Sequence, residues 1–434
     1  MLPGVNCVNQ IAIIGSGIAG LGVAHYLSIH APEAKVTLFE ADEKIGGHTA
    51  TVQVTVPGEL PVSFDTGFMV YNEVTYPNLT KLFTDLGVQT QPTSMSFSVQ
   101  NRKAGIEYSG TSLNHLFAQR KNLLRPSFVR LLWQINRFNA DAIKMLEEAL
   151  ENPTYAQITL QDYVRERDYG QNFMQQYLIP MSAAVWSTEY TKMLEFPAQT
   201  LLRFFYNHGF LGLHTQHPWR TVSGGSQNYV DKILARFLGT VLKSDPVTEV
   251  SRVTSAHQVQ VRSRSGERVF DQVVIAAHAD QALRLLSHPT EMERNLLSSF
   301  NYQNNSTLIH TDESVMPKKK LAWSSWNYLM LDQTGTQAST HYWMNRLQAL
   351  GGDTEYFVSL NAEELVDPKK ILLRLNYTHP LFSGAAIRAQ ADLPKLNQQE
   401  GGIYFSGSYF KYGFHEDAYT SALNAAQVLL GRAS

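Results

Sequence analysis

Residues 11–14 read IAII, an unbroken apolar run that predicts a strand buried on both faces. Glycines interrupt it at 15, 17 and 20. An apolar segment over 21–29 then has helical length, and KVTLF at 35–39 predicts a second strand ending at Glu40. VSFDTGFMVY at 62–71 predicts a strand and turn, with Asp65 and Gly67 at the bend. Leu79, Leu82, Phe83 and Leu86 recur at helical spacing within 76–86 and predict core. A longer helical pattern over 113–150 is broken at Pro126, and 227–237 predicts a helix after Gly224-Gly225. From Thr240 the period shortens to two: TVLKSDPVTEVSRV, HQVQVRS and, past Ser265-Gly266, ERVFDQVVIAAHA. This predicts a β-meander feeding a parallel strand over 273–277. The last elements are a strand and tight turn over 402–408, the segment 409–417, and a helix over 418–430.

The glycines carry the first chemistry. Gly15-Ser16-Gly17-Ile18-Ala19-Gly20 is G-x-G-x-x-G between a strand and a helix, with a second strand following. In such a βαβ unit the first glycine permits the tight turn, the second lets backbone approach a pyrophosphate, and the third lets helix and strand pack closely. The helix N-terminus then faces the phosphates. Glu40 stands 20 positions after Gly20, where a carboxylate accepts hydrogen bonds from a ribose and repels a 2′-phosphate.

Composition narrows the class. The chain has 434 residues, enough for about two to three domains. Hydrophobic residues at 44% and charged residues at 17% exclude disorder as the main state. Lys plus Arg number 36 against 38 for Asp plus Glu, so no global basic field exists for nucleic acid. The single cysteine, Cys7, excludes an internal disulfide and a thiolate metal cluster; no His, Asp and Glu spacing predicts a metal site either. A cytoplasmic setting is the expectation. Residues 11–29 are apolar enough to suggest a membrane span, but no basic n-region precedes them and the glycines are better explained by a nucleotide turn. Between 113 and 150, Arg120, Lys121, Arg125, Arg130 and Arg137 interleave with Leu124, Phe128, Leu131, Leu132, Trp133 and Phe138. An amphipathic basic helix of that kind suits an anionic membrane surface, so peripheral membrane contact is a further expectation.

After Glu40, the segment ADEKIGG places Gly46 and Gly47 where the extended fingerprint of two-dinucleotide-binding-domain flavoproteins has its paired glycines. Taken with the later elements, the sequence resembles the flavin-containing amine oxidoreductase superfamily, which includes monoamine oxidases, carotenoid desaturases and protoporphyrinogen oxidase. GGHTATV, FDTGFMVYN, WRTVSGGSQNYV, SSWNY, HYWMNRLQ and YGFHEDAYTSAL resemble a branch described as predicted NAD/FAD-binding oxidoreductases, encoded beside cyclopropane-fatty-acyl synthase-like methyltransferases.

The resemblance implies an α/β fold: a discontinuous Rossmann-like FAD-binding domain with parallel sheet and β-meander (1–98, 215–295 and 400–434) and an inserted α+β substrate domain (99–214 and 296–399). It implies FAD, held non-covalently because Cys7 is not the C-terminal cysteine that carries flavin in monoamine oxidases. Cofactor contacts fall on Gly15, Gly17, Ile18, Ala19, Gly20, Glu40, Ala41, Gly46, Gly47, His48, Thr49, Val247, Gly407, Ser408, Phe414 and His415. The related motif has Gly-Asp where this chain has Gly407-Ser408, which withdraws a carboxylate from the ribityl chain or phosphate. His415 is the candidate proton carrier with Glu416 its orienting or basic partner and Tyr412 beside them, although an acid at a helix start is also a simple cap. Trp186, Trp326, Asn327, Tyr328 and Tyr342 are candidate substrate contacts, with plain core the competing assignment for each. The expected reaction moves a hydride from a mainly apolar substrate, a fatty acyl lipid, to flavin N5. Its rivals are an amine oxidase, redox-neutral isomerisation, and a flavin-stabilised scaffold assisting a lipid-modifying methyltransferase.

Overall fold

The computed structural model describes residues 9–152, 154–155, 158–186, 188, 190–212, 215–253, 258–332 and 338–431; Cys7 lies outside them. β1 (Gln10–Ile14) sits in the middle of a five-stranded parallel sheet, ordered Thr240–Leu242, β2 (Lys35–Phe39), β1, Gln272–Ile275, Ile403–Phe405. Its side chains alternate between two cores. Ile11 and Ile13 face α1 (Ile18–His30) and the C-terminal helix (His415–Leu429), whereas Ala12 and Ile14 face Val250, Val259 and Phe270 of the meander. This double burial explains why the strand is apolar at every position.

The meander is antiparallel, Val247–Val253 to Gln258–Ser263 to Gly266–Phe270, and leads straight into the parallel strand Gln272–Ile275. A second, mixed sheet has seven strands, in the order 371–381, 301–310, 357–360, 338–343, 326–330, 97–101, 106–109. The fold is thus mixed α/β with a parallel sheet and a separate mixed sheet.

Two expected boundaries move. Pro126 starts a helix rather than breaking one: it occupies the first turn of Pro126–Glu148, where its missing N–H has no intrahelical partner to lose. The C-terminal helix begins at His415, not at residue 418, which places His415, Glu416 and Asp417 in its first turn. Residues 11–29 form most of β1, a turn and all of α1 but its last residue. Among the described residues no helix is long and apolar enough to cross a membrane.

Candidate active site

A cavity of about 800 Å³ is lined from one side by the carboxyl ends of the parallel strands and from the other by the seven-stranded sheet. At the strand ends, Gly15 has φ +99° and Gly20 packs so tightly that a Cβ would lie 1.9 Å from the Gly15 carbonyl oxygen. Gly17 is different: a Cβ there would meet nothing within 4 Å, and the residue faces the cavity with Ile18 and Ala19. Gly17 is also the N-cap of α1 and gives it no side-chain cap, so the helix presents bare N–H groups to the cavity. Gly47, at φ +55°, stacks its Cα side directly on Gly17, where a Cβ would lie 3.2 Å from the Gly17 Cα.

The Glu40 carboxylate lines the cavity and braces this turn, accepting from the Ser16 N–H at 2.9 Å, the Ser16 hydroxyl at 2.5 Å and the Asp42 N–H at 2.9 Å. Ala41 and Val247 line the same end, with Asp42 and Asp245. His48 lines it too, and its buried Nε2 has no hydrogen-bond partner. A bare helix N-terminus, an open Cα and an orphaned imidazole nitrogen fit a dinucleotide, whose pyrophosphate the Gly17 turn would hold. Gly20, Gly46 and Thr49 do not line the cavity; they shape its wall, which corrects their expected direct contact. Gly46 donates its N–H to the Ser16 hydroxyl at 3.2 Å, joining the second glycine pair to the first turn.

The other end is built around the C-terminal helix. Gly407, Ser408, Tyr412, Phe414 and His415 all line the cavity. The His415 ring stacks on Phe68 with centroids 3.9 Å apart, and its Nε2 lies 3.1 Å from Thr49 Oγ1 and 3.0 Å from the Tyr229 hydroxyl. Those two hydroxyls also bond each other. Burial, with His48 nearby, drives the His415 imidazole down to about 3, leaving it neutral and a poor proton acceptor at neutral pH. That argues against the expected proton carrier and gives His415 the role of an anchored hydrogen-bonding wall.

Glu416 is not its partner. One Glu416 oxygen accepts from the Asn78 N–H at 3.0 Å and the other from the Leu79 N–H at 2.9 Å, so the carboxylate caps α2 (Pro77–Leu86). Helix capping therefore accounts for this residue, correcting the catalytic assignment. Asp417 caps its own helix, accepting from the Tyr412 and Phe414 N–H groups.

The remaining aromatic candidates divide. Trp186 packs among Phe196, Phe204 and Phe414 and donates its indole N–H to the Tyr412 carbonyl. It lines the cavity, as do Trp326 and Tyr342, whose rings meet edge to face at 4.9 Å. Asn327 and Tyr328 do not. Asn327 points to the opposite sheet face, as strand alternation requires, and bonds Ser98, Ser324 and the His341 carbonyl. Tyr328 is buried in the core shared with the long helices. Strand register accounts for Asn327; Tyr328 shares the Trp326 face but lies one pair further along the strand, under the helices of the core.

Sequence reasoning missed His278, Tyr377 and His379. They surround His48, with ring centroids at 6.0, 5.2 and 5.7 Å, and all line the cavity. The run NYTHP at 376–380, where every residue lines the cavity, was the available signal. Among the described residues no His, Cys, Asp and Glu grouping has metal-holding geometry.

Buried histidines make stability depend on pH. Desolvation lowers His208, His278 and His310 to about 4, and His341, His379 and His415 to about 3. All are neutral in the fold yet titrate near 6.5 when unfolded, so their stabilisation is complete above about 6.5 and is lost as pH falls toward 4. Burial raises three carboxyls, Asp65, Glu416 and Asp417, the last to about 7, and these favour the fold at low pH. The six histidines outnumber them. The melting temperature is expected several degrees lower near pH 5 than near pH 7.5; an equal or higher value at pH 5 would contradict this balance.

A family model described as flavin containing amine oxidoreductase matches residues 18–430. No curated protein sequence matches the chain. Solved structures share the fold. Cyclohexylamine oxidase from Brevibacterium oxydans IH-35A has a TM-score of 0.69 at 15% identity, covering 98% of this chain and 99% of that one. Putrescine oxidase bound to putrescine has 0.68 at 14%, covering 98% and 99%. A CLA-producing fatty acid isomerase from P. acnes has 0.64 at 13%, covering 96% and 98%.

Proposed function

The chain belongs to the flavin-containing amine oxidoreductase family, and from that premise we propose that this FAD-dependent oxidoreductase acts on a fatty acyl chain. The family binds FAD, and Gly17, the α1 N-terminus, Glu40 and His48 are the residues that would hold it here. When bound, FAD supplies a two-electron acceptor for a hydride leaving carbon. We take its attachment to be non-covalent, since the only cysteine of this sequence is Cys7.

One observation carries the substrate reading. Glu40, Asp42 and Asp245, the only carboxylates lining the cavity among the described residues, all stand at the nucleotide end. The opposite end is walled by Phe68, Met95, Trp186, Phe204, Phe210, Trp219, Trp326 and Phe382. An ammonium group finds no counter-charge on those walls, and the carboxylates of the adjoining pocket, Glu416 and Asp417, are engaged as helix caps, whereas each methylene buried gains about 0.8 kcal/mol. Those walls exclude water and fix the chain's path; His415, held from behind by the Thr49 and Tyr229 hydroxyls, adds a neutral ring at one side without charging it.

Anaerobic mixing of the holoenzyme with detergent-solubilised unsaturated and methyl-branched fatty acids is expected to bleach the visible flavin band, and a panel of alkyl and aryl amines is not. Bleaching by amines alone would replace this reading with an amine oxidase. An isomerised acyl product without bleaching would keep the substrate class and make the chemistry redox-neutral.

A further inference from the structure

The long helix Pro126–Glu148 carries large apolar side chains on its outer face as well as its inner one. Phe128, Leu131, Phe138 and Met145 are buried, yet Val129, Trp133 and Ile143 project to solvent along one stripe, with Trp133 59% exposed. Ahead of it, Leu113, Leu123 and Leu124 are exposed too, Leu124 to 88%. Solvent gives such side chains nothing.

Charge on the leading part of this face has one sign. From Glu107 to Asp141 the chain carries Arg120, Lys121, Arg125, Arg130 and Arg137 and no acid. The fold adds more: the turn Lys320–Ala322 packs against the short helix Leu113–Leu116, bringing exposed Lys318, Lys319 and Lys320 to the same side. The nearby acids are Glu313, 3.8 Å from Lys320; Asp141, 3.8 Å from Arg137; buried Glu107, which accepts from the Lys319 N–H; and, in the last turn of the helix, exposed Glu147 and half-buried Glu148, the latter 3.7 Å from Lys144.

We propose that this face docks on an anionic lipid bilayer, with Leu123, Leu124, Val129 and Trp133 in the acyl boundary and the surrounding cations at the phosphate level. Apolar side chains ringed by cations match a surface that is oily inside and negatively charged at its rim. Docking needs no knowledge of the substrate. Resting on the acyl-chain reading, however, it gains a purpose. Ile143, at the far end of the exposed stripe, lines a pocket of about 660 Å³ with half-exposed Tyr206, and this pocket shares Tyr76, Tyr412 and Phe414 with the main cavity. A helix lying flat on the bilayer brings that mouth to the lipid.

The test is sedimentation of the holoenzyme with vesicles of phosphatidylcholine alone or with roughly one-third phosphatidylglycerol. Wild type is expected to pellet with the anionic vesicles and to be released as salt rises from about 0.05 to about 0.5 M. Lys121→Glu with Arg130→Glu, and separately Leu124→Ser with Trp133→Ser, are each expected to lower partitioning about ten-fold or more. Unchanged melting temperatures would show both variants folded. Wild type staying in the supernatant, equal binding to neutral vesicles, or full binding by both variants would each overturn the proposal. Flavin bleaching by detergent-solubilised fatty acid, run beside it, reports separately on the substrate reading.

Discussion

Gly17→Leu, purified with FAD supplied, is expected to fold and yet carry less than about a tenth of the wild-type flavin. The side chain has room: a Cβ at this position meets nothing within 4 Å, and the backbone is extended, at φ −62° and ψ 177°, which leucine adopts freely. Losing a glycine N-cap costs at most about 1 kcal/mol, because glycine itself caps only through its backbone. All the space the new side chain takes is cavity space in front of the α1 N-terminus, where a pyrophosphate must come to reach the bare N–H groups. Measuring flavin released on denaturation against protein, alongside the melting curve of the FAD-free form, separates the two effects. Normal flavin content would remove the phosphate site from this turn. Gly20 makes the contrast: any side chain there drives into the Gly15 carbonyl at 1.9 Å, so its loss is expected in the fold first and in the flavin second.

Asp65→Ala is expected to cost about 3–5 kcal/mol of folding stability, since it strips the partner from several groups in a dry interior. Asp65 is fully buried, and its carboxylate accepts from the Thr51 hydroxyl at 2.6 Å, the Ser226 hydroxyl at 2.7 Å, the Ser226 N–H at 2.8 Å and the Gln348 amide at 2.6 Å. Gln348 returns a bond by accepting from the Asp65 N–H at 2.7 Å. Three other chain segments thus converge on one side chain. Alanine takes the acceptor from two hydroxyls, an N–H and an amide, while Asp65→Asn keeps the shape and part of the bonding and is expected to lose less. Urea unfolding of the three proteins measures the difference; a loss below about 1 kcal/mol for alanine would mean that water or rearrangement replaces the carboxylate.

Local signals made the nucleotide end legible. The apolar run at 11–14, the glycines at 15, 17 and 20, and Glu40 are each dictated by geometry within forty residues, and the structure puts them together. Glu416 was illegible for the opposite reason: its partners, Asn78 and Leu79, lie more than 330 positions away, and nothing near YGFHEDAY distinguishes a base from a cap for a remote helix. His415 shows both cases. Its place at the cavity follows from the strand-to-helix junction, but its neutral state comes from burial and from His48 nearby, which only the folded chain assembles. The aromatic pairs at 326–328 and 341–343 announced a wall without saying which residue of each faces inward. The basic face was half visible, because Lys318–Lys320 join it through packing alone.

The central position of β1 has a consequence in time. It pairs on one side with β2 within thirty residues, but its other neighbour is Gln272–Ile275, and the sheet edge beyond that is Ile403–Phe405. The helix that seals α1 is the C-terminal one, where the Tyr419 ring lies so close that a Cβ on Gly22 would sit 2.8 Å from it. During synthesis the first strand therefore waits for its second neighbour until Ile275 has been made, and α1 stays half-covered and apolar until the helix His415–Leu429 follows. The chain's last helix closes a pocket whose floor was made first, so a ribosome stalled before residue 403 holds a protein with the fingerprint but no finished site.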